Sequence, residues 1–397
     1  MAARRATALA VALFVFGFGE ELWFRYLPEY LRAFGISAFG IGLFGTLKDL
    51  LDAAYAYPGG VLSDRLGTRN ALLLFGAVTT FGFALLFVWL SPAAVYVGLL
   101  LVMAWASLGL PATFALVGEE LEGRGRVLGF TLQSILKRVP IVLAPPLGGL
   151  LLERFGLVPG MRIGFAASIV LSIVMLIYLS RALRRDRSRA LRREAGAAEI
   201  PKPSARPVRL RPALRQLLVA DCLIRLCEGL PDVFLIIWAI EIVRVSPAQF
   251  GVLTSVLMAT AIASYVPAAA LAGRTEKKPF VILTYVFFTL FPLAVLLSKS
   301  FVALIGAFVI GGLREIGEPA RKALIVDLAD PSARGRTVGT YYAIRGFAVA
   351  GAAAVGGALW TIRPALTFLA AGALGVAGTL WAARFLPAAS PASEESS

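Results

Sequence analysis

The sequence predicts an all-α membrane protein with twelve transmembrane helices arranged as two pseudo-symmetric six-helix bundles. Three observations predict it. First, 58% of the 397 residues are hydrophobic and 16% are charged, with a mean hydropathy of +0.80; soluble domains run at about 45–50% and ~25%. So few charges cannot cover the surface of a soluble protein of this size. Second, apolar segments of the length that crosses a bilayer, roughly 20 residues, recur twelve times. Third, one polar stretch crowded with arginine, 182–212, divides them six and six.

Span 1 (7–34) follows Arg4 and Arg5. This start imitates a signal peptide, but no small-residue cleavage site follows and the run continues into Glu20 and Glu21, so the segment is expected to stay as a helix. Spans 2 to 6 are read at 38–61, 70–90, 93–119, 126–152 and 161–181. They make an N-terminal bundle of residues 1–181. The basic linker 182–212 turns Pro-rich at Pro201, Pro203, Pro207 and Pro212. Spans 7 to 12 follow at 213–242, 250–272, 279–298, 301–327, 337–360 and 364–385, within a C-terminal bundle of residues 213–389. The small polar tail 390–397 is expected to be disordered.

The net charge of +15 is a topology signal in such a chain. With the N-terminus inside, 24 of the 39 Lys and Arg fall on the inner side, 6 on the outer side and 9 within spans. The positive-inside rule then places both termini in the cytoplasm, with the inner (plasma) membrane as location. The linker arginines are read as orientation signals and lipid-headgroup contacts rather than as a nucleic-acid site.

Enzyme chemistry finds little to work with. There is no histidine, which removes the usual metal ligand and neutral-pH base. Cys222 and Cys227 stand at i, i+5 on different helix faces, so neither a bridge nor a metal site is expected. No phosphate-binding G-x-x-x-x-G-K-[ST] loop is present, so ATP is not the expected energy source. No cofactor and no metal are expected.

The halves echo each other. Gly123-Arg124-Gly125-Arg126-Val127-Leu128-Gly129 is matched by Ala333-Arg334-Gly335-Arg336-Thr337-Val338-Gly339 at an offset of 210 residues. Phe39-Gly40 is matched by Phe250-Gly251 at an offset of 211. A duplicated six-helix unit is the symmetry from which alternating-access carriers are built.

Between spans 2 and 3 runs Gly59-Gly60-Val61-Leu62-Ser63-Asp64-Arg65-Leu66-Gly67-Thr68-Arg69. It resembles the signature loop of the major facilitator superfamily, G-x-L-x-D-R-x-G-x-R. The resemblance implies a cytoplasmic gate carried by Gly60, Asp64, Arg65, Gly67 and Arg69, and a secondary transporter; a monomer is expected. The counterpart Gly273 to Lys278 is degenerate. In span 5, Ala144-Pro145-Pro146-Leu147-Gly148-Gly149 is similar to the G-P-x-x-G-G element of the superfamily's drug/proton antiporters, with Ala in place of the first Gly. That likeness points to export; plain helix packing by small residues is the competing reading.

Charges inside spans carry the sharpest signal, because a central Arg, Lys or Asp costs ~2.5–3.5 kcal/mol on the insertion scale. Spans 3, 6, 9 and 12 have none at their centres. The candidates for substrate binding and proton coupling are Glu20, Glu21, Arg25, Lys48, Asp49, Asp52, Lys137, Arg138, Arg225, Glu228, Asp232, Arg314, Glu315, Glu318 and Arg345. Glu21/Arg25, Lys48/Asp52 and Arg314/Glu318 stand at i, i+4, and span 7 stacks Asp221, Arg225, Glu228 and Asp232, so helical pairs are expected. Lys137, Arg138 and Arg345 have no local acid and need partners from other helices or from substrate. Trp23, Tyr55, Tyr57, Trp105 and Trp238 are candidate cavity walls, against the commoner role of packing.

The expected function is proton-coupled export of a small organic solute, with membrane lipid and protons as the other partners. Two alternatives remain open: import of an organic anion drawn by Lys137, Arg138 and Arg345, and a lipid flippase or non-transporting scaffold.

Overall fold

The computed structural model describes residues 2–108, 123–182, 210–272, 276–329 and 334–386. Among these residues every regular element is helical. Span 1 is α1 (Ala2–Glu21) and α2 (Leu27–Ala33), joined through a 3-10 turn at Phe24–Tyr26. Span 2 is α3 (Ala38–Leu66), span 3 is α4 (Thr68–Val88), and span 4 opens with α5 (Pro92–Met103) before a π turn at Ala104–Leu108. Spans 5 and 6 are α6 (Gly123–Phe155) and α7 (Leu157–Ala182).

In the second half, span 7 is α8 (Pro212–Gly229) followed by a 3-10 turn at Asp232–Phe234 and a π turn at Trp238–Ile242. Spans 8 and 9 are α9 (Pro247–Ala272) and α10 (Lys277–Leu297). Span 10 divides into α11 (Phe301–Leu313) and α12 (Glu318–Leu328), and span 11 into α13 (Arg334–Val349) and α14 (Ala352–Ile362). Span 12 is α15 (Pro364–Phe385). The molecule is thus the twelve-helix, two-bundle membrane fold. Spans 3, 6, 8, 9, 11 and 12 qualify as membrane-crossing on length and apolarity alone. Spans 1, 7 and 10 are interrupted, and spans 2 and 5 carry internal prolines at Pro58, Pro140, Pro145 and Pro146.

The uninterrupted, uncharged spans form the outside. Span 3 packs on span 6 and span 9 on span 12. Their outer faces are bare hydrocarbon, as at Val170, Val174, Leu283 and Leu380. The charged, broken spans are left for the interior, where lipid does not meet their polar groups.

The duplication is visible in backbone detail. Ser37 and Ser246 cap spans 2 and 8, accepting from the amides of Gly40 and Gln249 at 3.2 Å each. Ser91 and Ser300 cap spans 4 and 10, accepting from Ala94 at 3.2 Å and Ala303 at 3.3 Å. Both serine pairs stand 209 residues apart, and a serine N-cap fixes where each helix starts. This register corrects the offset of 211. Gly42, not Gly40, is the partner of Gly251: a Cβ at Gly42 would meet the Ala353 carbonyl, and one at Gly251 the Pro145 carbonyl.

Two further readings change. The signature segment is helical through Leu66, and only Gly67, at φ 76°, turns the chain, in the left-handed region that favours glycine. The duplicated Arg-Gly-Arg elements occupy the first turns of α6 and α13 rather than loops. Among the described residues of the segment, Arg69 donates to the Ser180 carbonyl at 3.2 Å, tying span 3 to span 6, while Arg65 is exposed. Gly60 lies on α3. The side chain of Asp64, most of the linker and the tail 390–397 lie outside the described residues.

Candidate functional site

The halves meet along spans 5 and 8 and along spans 2 and 11. The seam is built on glycine. Gly149 lies against the carbonyl of Pro247, and its counterpart Gly357 against the carbonyl of Ala38. Gly148 and Gly356 do the same within each half, against Leu22 and Leu230 at the breaks of spans 1 and 7. Small residues let backbones approach this closely inside a membrane. Ala144 to Gly149 therefore has a structural twin 208 residues on, Ala352-Ala353-Ala354-Val355-Gly356-Gly357, and both serve packing. Further contacts across the seam are the Tyr26 hydroxyl to the Pro247 carbonyl at 3.1 Å, the Ala354 amide to Thr46 Oγ1 at 3.1 Å, and the ion pair Arg32–Glu241 at 3.1 Å. All lie toward the end of the molecule that carries the connections between spans 1–2, 5–6, 7–8 and 11–12.

Below that sealed end lie two cavities between the halves. The first, about 350 Å³, is lined by Glu20, Glu21, Arg25, Lys48, Glu228, Asp232, Arg314 and Glu315 together with apolar side chains. The second, about 470 Å³, lies on the far side of Lys48, away from the sealed end, and is lined by Asp49, Asp52, Arg225, Tyr342 and Arg345. Lys48, Glu228 and Asp232 border both. Volumes of about 300–1,000 Å³ suit small organic molecules.

Lys48 Nζ sits 2.7 Å from Asp232 Oδ2, joining span 2 of one half to span 7 of the other. Asp49 Oδ1 is 3.6 Å from the same ammonium. A second ion pair between halves joins Arg138 Nη2 to Glu315 Oε2 at 2.7 Å. Within the second half a chain of pairs runs inward from the cavity. Arg314 reaches Glu228 at 3.3 Å, Glu228 meets Arg225 at 2.7 Å, and Arg225 meets Glu318 at 2.8 Å. Glu318 meets Arg321 at 2.7 Å and Arg321 meets Asp221 at 2.7 Å. Asp221 also accepts from Tyr341 at 3.0 Å and Arg345 at 3.2 Å. Asp221 and Arg321 side chains are only 1% and 2% exposed, so this end of the chain is a buried ion pair that either partner alone could not sustain.

The structure brings most candidates together and rearranges their pairing. Glu21 and Arg25 pair as expected, at 2.8 Å. Lys48 turns from Asp52 to Asp232, and Asp52 accepts instead from Ser107 at 2.7 Å. Arg314 and Glu318 do not pair, because the turn between α11 and α12 breaks the i, i+4 register; each finds a partner on span 7. Glu318 lies behind Arg225, outside both linings. Arg138 and Arg345 take partners from other helices. The side chain of Lys137 lies outside the described residues.

The aromatic candidates resolve as packing. Trp23 sits edge-on to Phe83 and Phe165 and donates to Ser168 at 2.9 Å. Trp105 stacks on Phe16, Trp238 packs on Trp360 and Phe368, and the Tyr55 hydroxyl bonds the Leu100 carbonyl. None of these lines either cavity; the Tyr57 side chain lies outside the described residues. The walls are Phe24, Phe44, Phe250 and Phe308 instead. No linear signal separates these phenylalanines from the others in the chain. Asp221 is read from the sequence as one of the span-7 charges; the burial it shares with Arg321 and Tyr341 has no linear signal.

The Major Facilitator Superfamily sequence profile matches residues 9–240 and again residues 217–397. No curated protein sequence matches. Among solved structures, the chain is similar to the peptide transporter POT in complex with sulfate, at 17% identity and a TM-score of 0.74, covering 96% of this chain and 94% of that one. It is similar to the human organic anion transporter MFSD10 (TETRAN), at 17% identity and TM-score 0.65, covering 96% and 99%. It is also similar to a bacterial homolog of the human lysosomal transporter Spinster in an inward-facing and occupied conformation, at 15% identity and TM-score 0.68, covering 96% of each.

Proposed function

The chain belongs to the major facilitator superfamily, and from that premise we propose that it carries a small charged organic solute by alternating access, coupled to protons through the Lys48–Asp232 pair. Family membership supports a multi-pass membrane transporter rather than an enzyme. The observation that supports proton coupling is the position of Lys48–Asp232. It spans the two halves, borders both cavities and is 2.7 Å long. A proton on Asp232 removes the attraction that holds Lys48, and with it a tie between halves that must separate for the site to face the other way.

Placement of basic residues, 24 against 6, favours cytoplasmic termini in the plasma membrane. The sealed end then faces outward and the second cavity faces the cytoplasm. Seam packing accounts for the span-5 glycines, so that element adds no argument for export. The anion reading rests on Lys137, Arg138 and Arg345; Arg138 and Arg345 engage carboxylates, Glu315 and Asp221, and the Lys137 side chain lies outside the described residues.

The test is flux in proteoliposomes with and without an imposed pH gradient. Tryptamine, indole-3-acetate and tryptophan serve as probes with one apolar body and three charge states. The gradient is expected to accelerate the probe that is carried, and Asp232→Asn to abolish the acceleration. Flux indifferent to the gradient in the wild type contradicts coupling.

A further inference from the structure

The lining of the first cavity mixes apolar side chains, Phe24, Phe44, Phe250, Leu257, Met258 and Phe308, with charged ones. Five carboxylates line it, Glu20, Glu21, Glu228, Asp232 and Glu315, with three cations, Arg25, Lys48 and Arg314; Arg138 and Arg225 hold Glu315 and Glu228 from outside the lining. An occupant that satisfies both kinds of group has an apolar body and a charged head.

The sign of that head follows from how the cations are held. Arg25 gives Nε and Nη2 to Glu21. Arg314 gives Nε to the Gly311 carbonyl at 2.7 Å and Nη1 to Glu228, and its guanidinium lies over the rings of Phe288 and Phe291 at 4.8 and 4.7 Å. Those four groups hold Arg314 in place. Lys48 alone is a flexible single-point cation, and it has two carboxylates within 4 Å, Asp232 and Asp49. An anion that takes Arg25 or Arg314 must strip the arginine from its partner. A cation needs only to replace one ammonium with another.

Resting on the transporter reading above, we infer that the cavity takes an amphipathic organic cation, whose positive head replaces Lys48 at Asp232 while Lys48 moves to Asp49. The exchange conserves charge: the carboxylate of Asp232 keeps one cation, and the ammonium of Lys48 keeps one carboxylate. Asp49 sits one residue along α3 and opens on the second cavity, so it receives Lys48 on the side away from the occupant. Substrate and proton then compete for Asp232, the arrangement that exchange of one for the other requires.

The experiment is calorimetric binding of tryptamine, indole-3-acetate and tryptophan to the purified full-length protein at about pH 8, where the tryptamine amine stays charged. No gradient is present, so the outcome reads substrate class independently of coupling, which the liposome flux reads. Wild type is expected to bind tryptamine in preference to the other two. Asp232→Asn is expected to weaken tryptamine binding at least tenfold. Lys48→Met is expected to tighten it by about tenfold, because a competing ammonium is gone. A gain of affinity cannot come from misfolding, so Lys48→Met decides the matter even if Asp232→Asn fails to fold. Wild type that binds indole-3-acetate or tryptophan more tightly than tryptamine, or that binds no tryptamine, overturns the inference. So does a Lys48→Met variant whose tryptamine affinity is unchanged or weaker.

Discussion

The Tyr26 hydroxyl lies 3.1 Å from the Pro247 carbonyl oxygen, crossing from one half of the molecule to the other. It lies 2.6 Å from the Pro145 carbonyl oxygen of its own half as well. Its single proton is shared between two proline carbonyls, one from each half. Tyr26→Phe keeps the ring and removes the tie. The expected loss is about 0.5–1.5 kcal/mol from the sealed state, a shift of up to roughly tenfold toward opening. Modification of a cysteine placed at Phe250, beneath the seam, by a water-soluble thiol reagent checks it; faster labelling in Tyr26→Phe is expected.

Adjacent glycines are expected to respond differently. A Cβ at Gly148 meets the Leu22 carbonyl within one half, whereas a Cβ at Gly149 meets Pro247 of the other half. Gly148→Ala strains the bundle in every conformation, with a stability loss of about 1–3 kcal/mol read as a lower melting temperature. Gly149→Ala strains only the sealed state, so it leaves melting nearly unchanged and raises labelling beneath the seam.

Asp221 and Arg321 form the most buried ion pair among the described residues. Removing one partner leaves an uncompensated charge, at a cost of about 3–5 kcal/mol. Asp221→Ala is expected to reduce the yield of folded protein sharply. Asp221→Ala combined with Arg321→Met removes both charges and is expected to recover part of the loss in a thermal melt.

Arg32–Glu241 also crosses the seam, but its side chains are 38% and 37% exposed. Exposed pairs are worth about 0–1 kcal/mol. Arg32→Ala is expected to leave flux within about twofold of wild type, in contrast to any change at Lys48.

Much of the architecture is legible in the sequence. Span count, the two halves and the division into charged inner and uncharged outer spans follow from where hydrocarbon tolerates a charge. The breaks were less visible, although Pro28, Pro231 and Gly317 stand beside them. Missing the turn after Leu313 is what misassigned Arg314 to Glu318. Lys48–Asp232 was beyond reach because its partners are 184 residues apart and meet only through packing of the halves. The cavity phenylalanines carry no local mark, whereas the tryptophans that drew attention bury large rings inside single bundles.

The central claim is that protonation of Asp232 releases the two halves. The direct measurement is the distance between spin labels at Ala33 and Ile362, one on each half at the sealed end, in a background lacking Cys222 and Cys227. On acidification from about pH 7 to about pH 3, through the ordinary carboxylate range near 4, the short-distance population is expected to give way to a longer one. Asp232→Asn is expected to show the longer distance at both pH values. A wild-type distribution that does not move with pH, or an Asp232→Asn variant that keeps the wild-type response, would contradict the account.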